Sequence, residues 1–242
     1  VLAQAQDRSV PLLERLRFLC ISSSNLDEFF EIRVAGVKQR LENSPHLLSP
    51  DGSSSAAQLA AIHARATRLV ADQYACLDEQ LLPELTDAGL ALLPREALGP
   101  VRDWLASYFE REIEPVLSPL ALDPSRPFPR IQNKSLNFVV RLEGEDAYGR
   151  EATLAIVQAP RSLPRVVPLP VQSGATQRFV LLSTVIEEFV PRLFDGMQVL
   201  ECHPFRLTRN SDLFVDEEEA EDLRRALEGE LAHRRYGAAV RL

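Results

Sequence analysis

The feature that most constrains the fold of this sequence is an apolar stripe between residues 25 and 43. The stripe consists of Leu26, Phe30, Val34, Val37 and Leu41, at steps of four, four, three and four residues. Such steps place the side chains on one side of an α-helix, and Phe29 widens that side. The stripe therefore predicts an amphipathic helix that buries this side against a neighbouring element.

A second long helix is predicted from about residue 56 to residue 81, where apolar residues again recur every three or four positions. Between the two helices, the segment SPHLLSPDGSSS (44–55) contains prolines, a glycine and serines that interrupt a helical pattern. Long amphipathic helices joined by a short connection pack as antiparallel bundles. Residues 1–90 are therefore predicted to form a helical domain.

The pattern changes after about residue 90, where prolines become frequent and short apolar segments rich in β-branched residues follow. These segments are SLNFVVRLEG (135–144), ATLAIVQAP (152–160), RFVLL (178–182) and MQVLECHPFRLTRN (197–210). The first two predict a β-hairpin. Helices are predicted at 101–114, at 183–194 with Ser183 as N-cap, and at 216–236 with Gly237 just beyond. The fold class is therefore α+β: a helical bundle (1–90), then a domain (91–242) with a mostly antiparallel sheet, cut short at its C-terminal end.

Charge and cysteine content exclude several classes of function. The formal net charge is −8, which argues against a generally basic nucleic-acid binder. The three cysteines form no CxxC pair, so neither a disulfide framework nor a zinc ribbon is indicated, and a reducing cytoplasm fits best. No run of 18 apolar residues occurs, so no transmembrane segment is predicted.

The stretch SSSNLDEF (22–29) contains the candidate binding residue, Asn25. One interpretation is structural: Asn25 as N-cap and Glu28 three residues later would form a capping box. The other is functional, since a helix start flanked by hydroxyls can present hydrogen-bond groups to a ligand. Asp27 and Glu28 would repel a phosphate there, so a base or ribose contact is the more credible functional role.

The remaining polar motifs do not form a self-contained catalytic site. The histidines His46, His63, His203 and His233 form no HxxxH or HxH pair, so no metal site is predicted. Walker, GxGxxG and GxSxG motifs are absent. The acidic run 216–219 is interpreted as a solvated first helical turn. In FRLTRNSDL (205–213), Arg206, Thr208, Arg209 and Asn210 are either phosphate ligands or a polar turn after a strand.

Three segments resemble the bacterial polyphosphate kinase family that works through a phosphohistidine. They are PLLERLRFLCISSSNLDEFFEIRVAGVKQR (11–40), FPRIQNKSLNFVVRLEG (128–144) and RFVLLSTVIEEFVPRLFDGMQVLECHPFRLTRNSDLFVDEEEAEDL (178–223). The resemblance implies an N-terminal helical domain and a middle, or head, domain. It also implies a parent enzyme that reversibly transfers the terminal phosphate of ATP to polyphosphate. The asparagine of SNLDEF contacts the nucleotide in that family, and here it is Asn25.

The same resemblance implies that the catalytic residues lie elsewhere. The phosphorylated histidine and the Mg²⁺-binding arginines of the family belong to C-terminal domains without counterpart in these 242 residues. The chain alone is therefore predicted to be inactive, supplying one wall of an ATP/ADP pocket and an oligomerisation domain within a cytoplasmic homo-oligomer. Both chain ends interrupt predicted elements, which favours a piece of a longer protein. The alternative is a stand-alone, non-catalytic helical-bundle interaction protein.

Overall fold

The computed structural model describes residues 1–122, 127–145, 153–170, 176–211 and 237–242. The chain divides into two compact units. The helical unit consists of Val1–Leu85 with Leu207–Leu242, and the sheet unit consists of Thr86–Arg206. The predicted helix at 216–236 lies outside the described residues.

The first 87 residues are mainly helical, as the apolar spacing predicts. The helices are α1 (Leu2–Gln6), α2 (Leu12–Glu28), α3 (Ala35–Asn43), α4 (Ser55–Cys76) and α5 (Leu82–Asp87). Two π-helical segments, Phe29–Val34 and Leu77–Leu81, join α2 to α3 and α4 to α5 without a break. The α4 helix begins one residue before the predicted start, and its N-cap is Ser54, whose hydroxyl accepts a hydrogen bond from the Ala57 N–H at 3.2 Å.

The apolar stripe of the first long helix is buried as predicted. Leu26, Phe30 and Val34 form a cluster with half-buried side chains of α4. A second cluster, which includes Ala5, Leu19 and Leu81, fills the space between α1, α2 and the end of α4. The apolar sides of the two long helices bury each other, and this packing of amphipathic helices stabilises a helical bundle.

The capping role predicted for Asn25 is wrong. The α2 helix begins at Leu12, directly after Pro11, and Asn25 lies in its last turn before the π-helical segment. A helical N-terminus after the serines does not form because Ser22 is packed inside the unit, where its hydroxyl accepts a hydrogen bond from the Gln73 amide at 2.8 Å. Tertiary packing therefore outweighs the local preference of serine and asparagine for helix starts.

The far end of the chain completes the helical unit. Strands β8 (Thr208–Arg209) and β9 (Ala239–Arg241) pair antiparallel. The Arg241 guanidinium lies 5.2 Å from the centroid of the Phe30 ring, and its Nη1 is 3.6 Å from Oδ1 of Asp27. The Lys38 ammonium donates a hydrogen bond to the carbonyl of Ala239 at 3.1 Å. These contacts tie residues 237–242 to the first long helix.

The sheet unit contains the remaining strands and two helices, α6 (Arg102–Tyr108) and α7 (Leu182–Phe189). The strands are β1 (Leu90–Leu92), β2 (Ser118–Ala121), β3 (Leu136–Glu143), β4 (Leu154–Ala159), β5 (Val166–Pro168), β6 (Gln177–Leu181) and β7 (Gln198–Phe205). Four of them form an antiparallel sheet in the order β2-β4-β3-β7. The other three have the order β1-β6-β5, with β1 parallel to β6. The predicted α+β class and antiparallel sheet are confirmed.

The sheet unit has one continuous core, in which side chains of α6 and α7 pack on the inward faces of the strands. Its largest fully buried side chains include Phe109, Phe138, Leu105 and Ile186. The predicted N-cap Ser183 is wrong: α7 begins at Leu182, the cap position is Leu181, and no side chain caps the helix. Leu182 is fully buried and extends the apolar side of α7 by one residue.

The two compact units do not coincide with a division at residue 90, because residues 207–242 belong with the first 85. Compactness and domain identity are different properties, so the assignment of 1–90 and 91–242 as domains stays a prediction. What the structure adds is that the helical unit is formed by two separate parts of the chain.

Candidate functional site

Asn25 lies at a cavity of about 660 Å³ within the helical unit, formed by α1, α2, the segment that follows α2, and α4. Its side chain is exposed. Steps of three and four residues place Ser22, Asn25 and Phe29 along the same side of the helix. We call this space the Asn25 cavity.

The wall opposite Asn25 comes from α4, which contributes Arg65 and Asp72. These residues are seven positions apart, two helical turns, so both occupy one side of α4. At the cavity floor, the hydrogen bond from Gln73 to Ser22 joins α4 to α2. The two helices that carry the polar groups are therefore held together directly beneath them.

The Asn25 amide makes no hydrogen bond or other polar contact to any described part of the chain. It is therefore open to a ligand as one acceptor and two donors. Beside it, the Phe29 ring is 39% exposed and meets the Phe30 ring edge-to-face, with centroids 6.1 Å apart. Because Phe30 is buried, that contact supports an aromatic surface that still faces the cavity.

The lining combines the Phe29 ring and several aliphatic side chains with amides, the Ser22 hydroxyl, the Arg65 guanidinium and the Asp72 carboxylate. An aromatic surface stacks with a nucleobase, and an amide pairs with the donor and acceptor edge of a purine. Asp72 and Arg65 add an acceptor and a donor group at the opposite wall. This set of groups suits a planar, polar-edged molecule better than a compact anion, because Asp72 would repel the latter.

The other candidate residues are not brought together. His46 and His63 are exposed, His203 is exposed with Nε2 3.5 Å from a Glu201 carboxylate oxygen, and His233 lies outside the described residues. Across the ranges that the structure describes, no group of three or more metal-ligating side chains occurs. The acidic run 216–219 is not described.

Residues of the FRLTRN segment are buried or make hydrogen bonds within the chain. Thr208 is buried, and the Arg209 guanidinium donates a hydrogen bond to the carbonyl of Gly237 at 2.8 Å. Arg206 and Asn210 also have partners. A phosphate-binding role for these four residues stays a prediction, whereas Arg209 has a structural role in holding the chain end.

Two cysteines are poorly suited to nucleophilic chemistry. Burial raises the pKa of the Cys202 thiol to about 12, and the nearby Glu187 carboxylate acts in the same direction. Burial also raises the pKa of the Cys76 thiol. A thiol must be deprotonated to act as a nucleophile, so neither group is activated.

Sequence reasoning missed Arg65 and Asp72 as residues of the site. Both lie within a long amphipathic helix where exposed charges are routine, and no motif surrounds them. Their seven-residue spacing puts them on one side of α4 but does not say which helix they face. Only the packing of α4 against α2 shows that Arg65 and Asp72 line the same cavity as Asn25.

A chain with a helical N-terminal unit and an antiparallel-sheet unit defines a two-part α+β protein, and comparisons with known proteins place it in a family. Residues 1–93 match the family model described as the polyphosphate kinase N-terminal domain. Residues 101–242 match the model of the polyphosphate kinase middle domain. The chain therefore belongs to the polyphosphate kinase family.

Similar proteins agree with that assignment. Proteins named polyphosphate kinase from Burkholderia ambifaria and Paraburkholderia phytofirmans are 53% and 52% identical over 244 residues, covering 100% of this chain and 36% of each relative. The crystal structure of polyphosphate kinase from Porphyromonas gingivalis has a TM-score of 0.75 and 25% identity, over 100% of this chain and 37% of that one. The chain thus spans little more than a third of these proteins' length.

Among the described residues, no helix has the length and apolar character needed to cross a membrane.

Proposed function

We propose that this chain is the nucleotide-binding front part of a polyphosphate kinase, which reversibly transfers the terminal phosphate of ATP to a polyphosphate chain. Within that enzyme, the Asn25 cavity receives the nucleoside end of ATP or ADP, and Asn25 contacts the base or ribose. The observation that carries the proposal is the exposed Asn25 amide, which has no polar contact within the described residues and faces an open cavity.

The first support is that Asn25 has no structural role to explain it. Asparagine is a poor residue for the interior of a helix, and here it caps nothing and bonds to nothing described. A residue that costs helix stability without a compensating contact is consistent with a role in binding. Family membership makes a nucleotide the most reasonable ligand.

The second support is the chemistry of the cavity. Phe29 can stack on a base, and the Asn25 amide can donate to and accept from the same purine edge. Asp72 disfavours the triphosphate at this point, so the phosphates would extend away from the α4 wall. The chain thus holds the nucleoside and does not supply the phosphoryl-transfer chemistry.

Other properties of the whole protein belong to the same proposal. Phosphoryl transfer requires groups that neutralise charge on the transferred phosphate, together with Mg²⁺. We assign Mg²⁺ binding and the phosphorylated histidine to parts of the protein beyond these 242 residues. We also propose a cytoplasmic homo-oligomer that assembles through the middle domain.

The direct test is binding of a fluorescent adenine nucleotide to the 242-residue chain. Asn25→Ala is expected to weaken binding about 5- to 10-fold, the equivalent of one or two hydrogen bonds. Ser24→Ala is the matched control, because Ser24 is an exposed neighbour on α2 that does not line the cavity. If the two variants weaken binding equally, Asn25 is not a nucleotide contact.

A second experiment tests the assignment of catalysis elsewhere. The chain is incubated with ATP labelled on the terminal phosphate, with Mg²⁺ and polyphosphate present. We expect neither labelled polyphosphate nor a labelled histidine in the chain, since one nucleoside-binding wall cannot stabilise the transferred phosphoryl group. A labelled histidine within these residues would contradict the proposal.

A further inference from the structure

A second open cavity, of about 510 Å³, lies along the helical segment that continues from α2 into α3. We call it the basic groove. Its polar lining consists of Arg33, Gln39, Arg40, Asn43 and Ser44, and Ile32 and Gly36 complete it. The lining therefore offers two cations, two amides and a hydroxyl, and includes no acidic residue.

The two arginines of the basic groove are exposed, and neither has a hydrogen bond or an ion pair within the described parts of the chain. Arg15 of α2 shows the contrast: it is buried and held by Glu84 and by the carbonyl of Ala5. The overall charge is −8, so acids are plentiful. Two unpaired cations facing one cavity are therefore a local feature and not a consequence of composition.

Gly36 lies between the two arginines in sequence and keeps the groove open. No atom lies within 4 Å of the position that a Cβ would occupy there, and the backbone is helical. Glycine destabilises a helix interior relative to alanine, and no packing within the described chain requires it here. An absent side chain lets an extended ligand approach the helix backbone between Arg33 and Arg40.

The basic groove continues from the Asn25 cavity along the same side of the helix. Asn25, Phe29, Arg33, Gly36 and Arg40 follow one another at steps of four, four, three and four residues. Such steps keep side chains on one helical side, about 100° around the helix from the buried stripe of Leu26 and its neighbours. A ligand leaving the Asn25 cavity along this helix would therefore enter the basic groove.

We propose that the basic groove binds a segment of inorganic polyphosphate. This inference rests on the proposed function, which supplies polyphosphate as a substrate. Arg33 and Arg40 are seven residues apart, about 10 Å along the helix axis, so they address separate phosphate groups of an extended chain. The groove has no aromatic side chain for a base, whereas its guanidinium and amide groups suit phosphate oxygens.

The test measures binding of end-labelled, long-chain polyphosphate to the 242-residue chain by fluorescence anisotropy. Arg33→Gln and Arg40→Gln are each expected to weaken binding about 5-fold, and the double variant about 20-fold. The dependence of the logarithm of affinity on the logarithm of salt concentration should become shallower by about 1 to 2 in the double variant. Glutamine has a helix propensity close to that of arginine, so the fold is retained.

The charge-matched control is the double variant Arg17→Gln, Arg111→Gln. Both arginines are exposed, and neither lines the groove. We expect less than about a 2-fold change, because neither side chain lines the groove where the ligand binds. The inference is overturned if the wild-type chain does not bind polyphosphate at low salt, or if the control loses as much affinity as the groove variant.

Measuring both ligands with the Asn25→Ala variant and with the groove double variant separates this inference from the proposed function. Asn25→Ala should weaken the adenine nucleotide and leave polyphosphate binding unchanged, whereas the groove variant should do the reverse. If the groove variant loses affinity for ATP but not for polyphosphate, the groove binds the triphosphate of the nucleotide and the polyphosphate assignment is wrong. If the groove variant changes neither ligand while Asn25→Ala weakens the nucleotide, the groove inference fails and the proposed function stands.

Discussion

The two units of the chain differ in whether their arginines line a cavity. In the sheet unit, arginines form ion pairs with carboxylates: Arg95 and Arg102 with Glu188, Arg141 with Glu201, and Arg192 with Glu110. In the helical unit, Arg33, Arg40 and Arg65 line cavities and have no polar partner within the described residues. Ion-paired arginines occur in both units, since Arg15 and Arg241 also contact carboxylates, but the cavity-lining arginines without a partner in the described residues lie in the helical unit.

The hydrophobic cores differ in the same sense. The sheet unit has one continuous core, whereas the buried apolar residues of the helical unit form two smaller clusters. The helical unit also keeps Phe29 at a cavity with its ring 39% exposed. The comparison shows a larger continuous core in the sheet unit and open cavities lined by residues of the helical unit.

The largest expected effect compares one phenylalanine from each unit. Phe109→Ala should lower the free energy of unfolding of the sheet unit by about 3–5 kcal/mol, because the ring is fully buried and a cavity would remain. Phe29→Ala should cost less than about 1.5 kcal/mol and weaken adenine nucleotide binding, since its ring is partly exposed at the cavity. Urea unfolding monitored separately for each unit gives both values. Equal losses of unfolding free energy for Phe109→Ala and Phe29→Ala would contradict the proposed difference between the two units.

A second prediction concerns the buried charge within the helical unit. Glu84→Gln should destabilise that unit by about 3 kcal/mol, because the Arg15 guanidinium is 2% exposed and would lose its carboxylate partner. Glu14→Gln is the control, since Glu14 forms only an exposed ion pair with Arg17 at 3.7 Å. Urea denaturation of both variants measures the difference. A loss below about 1 kcal/mol for Glu84→Gln would show that water reaches Arg15.

A third prediction uses pH to isolate the sheet unit's ion pairs. Burial alone would raise the pKa of Glu188, but hydrogen bonds from Arg95 and Arg102 outweigh it and hold the pKa below the usual 4.5. A lowered folded pKa contributes stability above the unfolded pKa and loses it as pH falls through the folded value. Glu188→Gln should therefore cost about 1–2 kcal/mol near pH 7, and this cost should shrink as pH falls below 4.5. A pH-independent difference between wild type and variant would contradict this assignment.

The fourth prediction has the smallest effect and concerns the change in the stability of the helical unit on Asn25→Ala. This change should be zero or favourable, whereas the loss of a cap would be unfavourable. Asn25→Ala should leave the helical unit as stable as before or raise its stability by about 0.5 kcal/mol, because alanine has the higher helix propensity. A capping asparagine would instead lose about 1 kcal/mol on the same change. Thermal unfolding of Asn25→Ala beside Ser24→Ala separates these outcomes, and a loss of about 1 kcal/mol would restore the cap.

Much of the fold could be predicted because its elements are periodic. The stripe from Leu26 to Val34, the second long helix and the hairpin of β3 and β4 all follow from spacing and residue type. The helix starts at Asn25 and Ser183 were predicted wrongly for a shared reason. Local capping preference is worth about 1 kcal/mol, and burial of Ser22 and Leu182 within the packed structure outweighs it.

Less of the candidate site could be predicted. Asn25 was identified from its motif, but its cavity depends on which side of α4 meets α2, and that is a property of packing. Arg33 and Arg40 belong to the predicted helix, yet only the structure shows them without partners in the described chain. Sequence patterns report what a helix buries more reliably than what its open side binds, because burial is periodic and binding groups are few.

The split construction of the helical unit has a consequence for biosynthesis. Lys38 bonds to a carbonyl 201 residues later in the chain, and Arg241 contacts Phe30 and Asp27 of the first long helix. A ribosome releases the chain from the N-terminus, so α2 and α4 emerge long before β9. We therefore expect the sheet unit to finish folding while the older helical unit still lacks its last strand. Hydrogen exchange on arrested nascent chains would reveal this order as late protection of the Arg241 amide. Within these 242 residues, the unit that is synthesised first would then be completed after the unit that follows it.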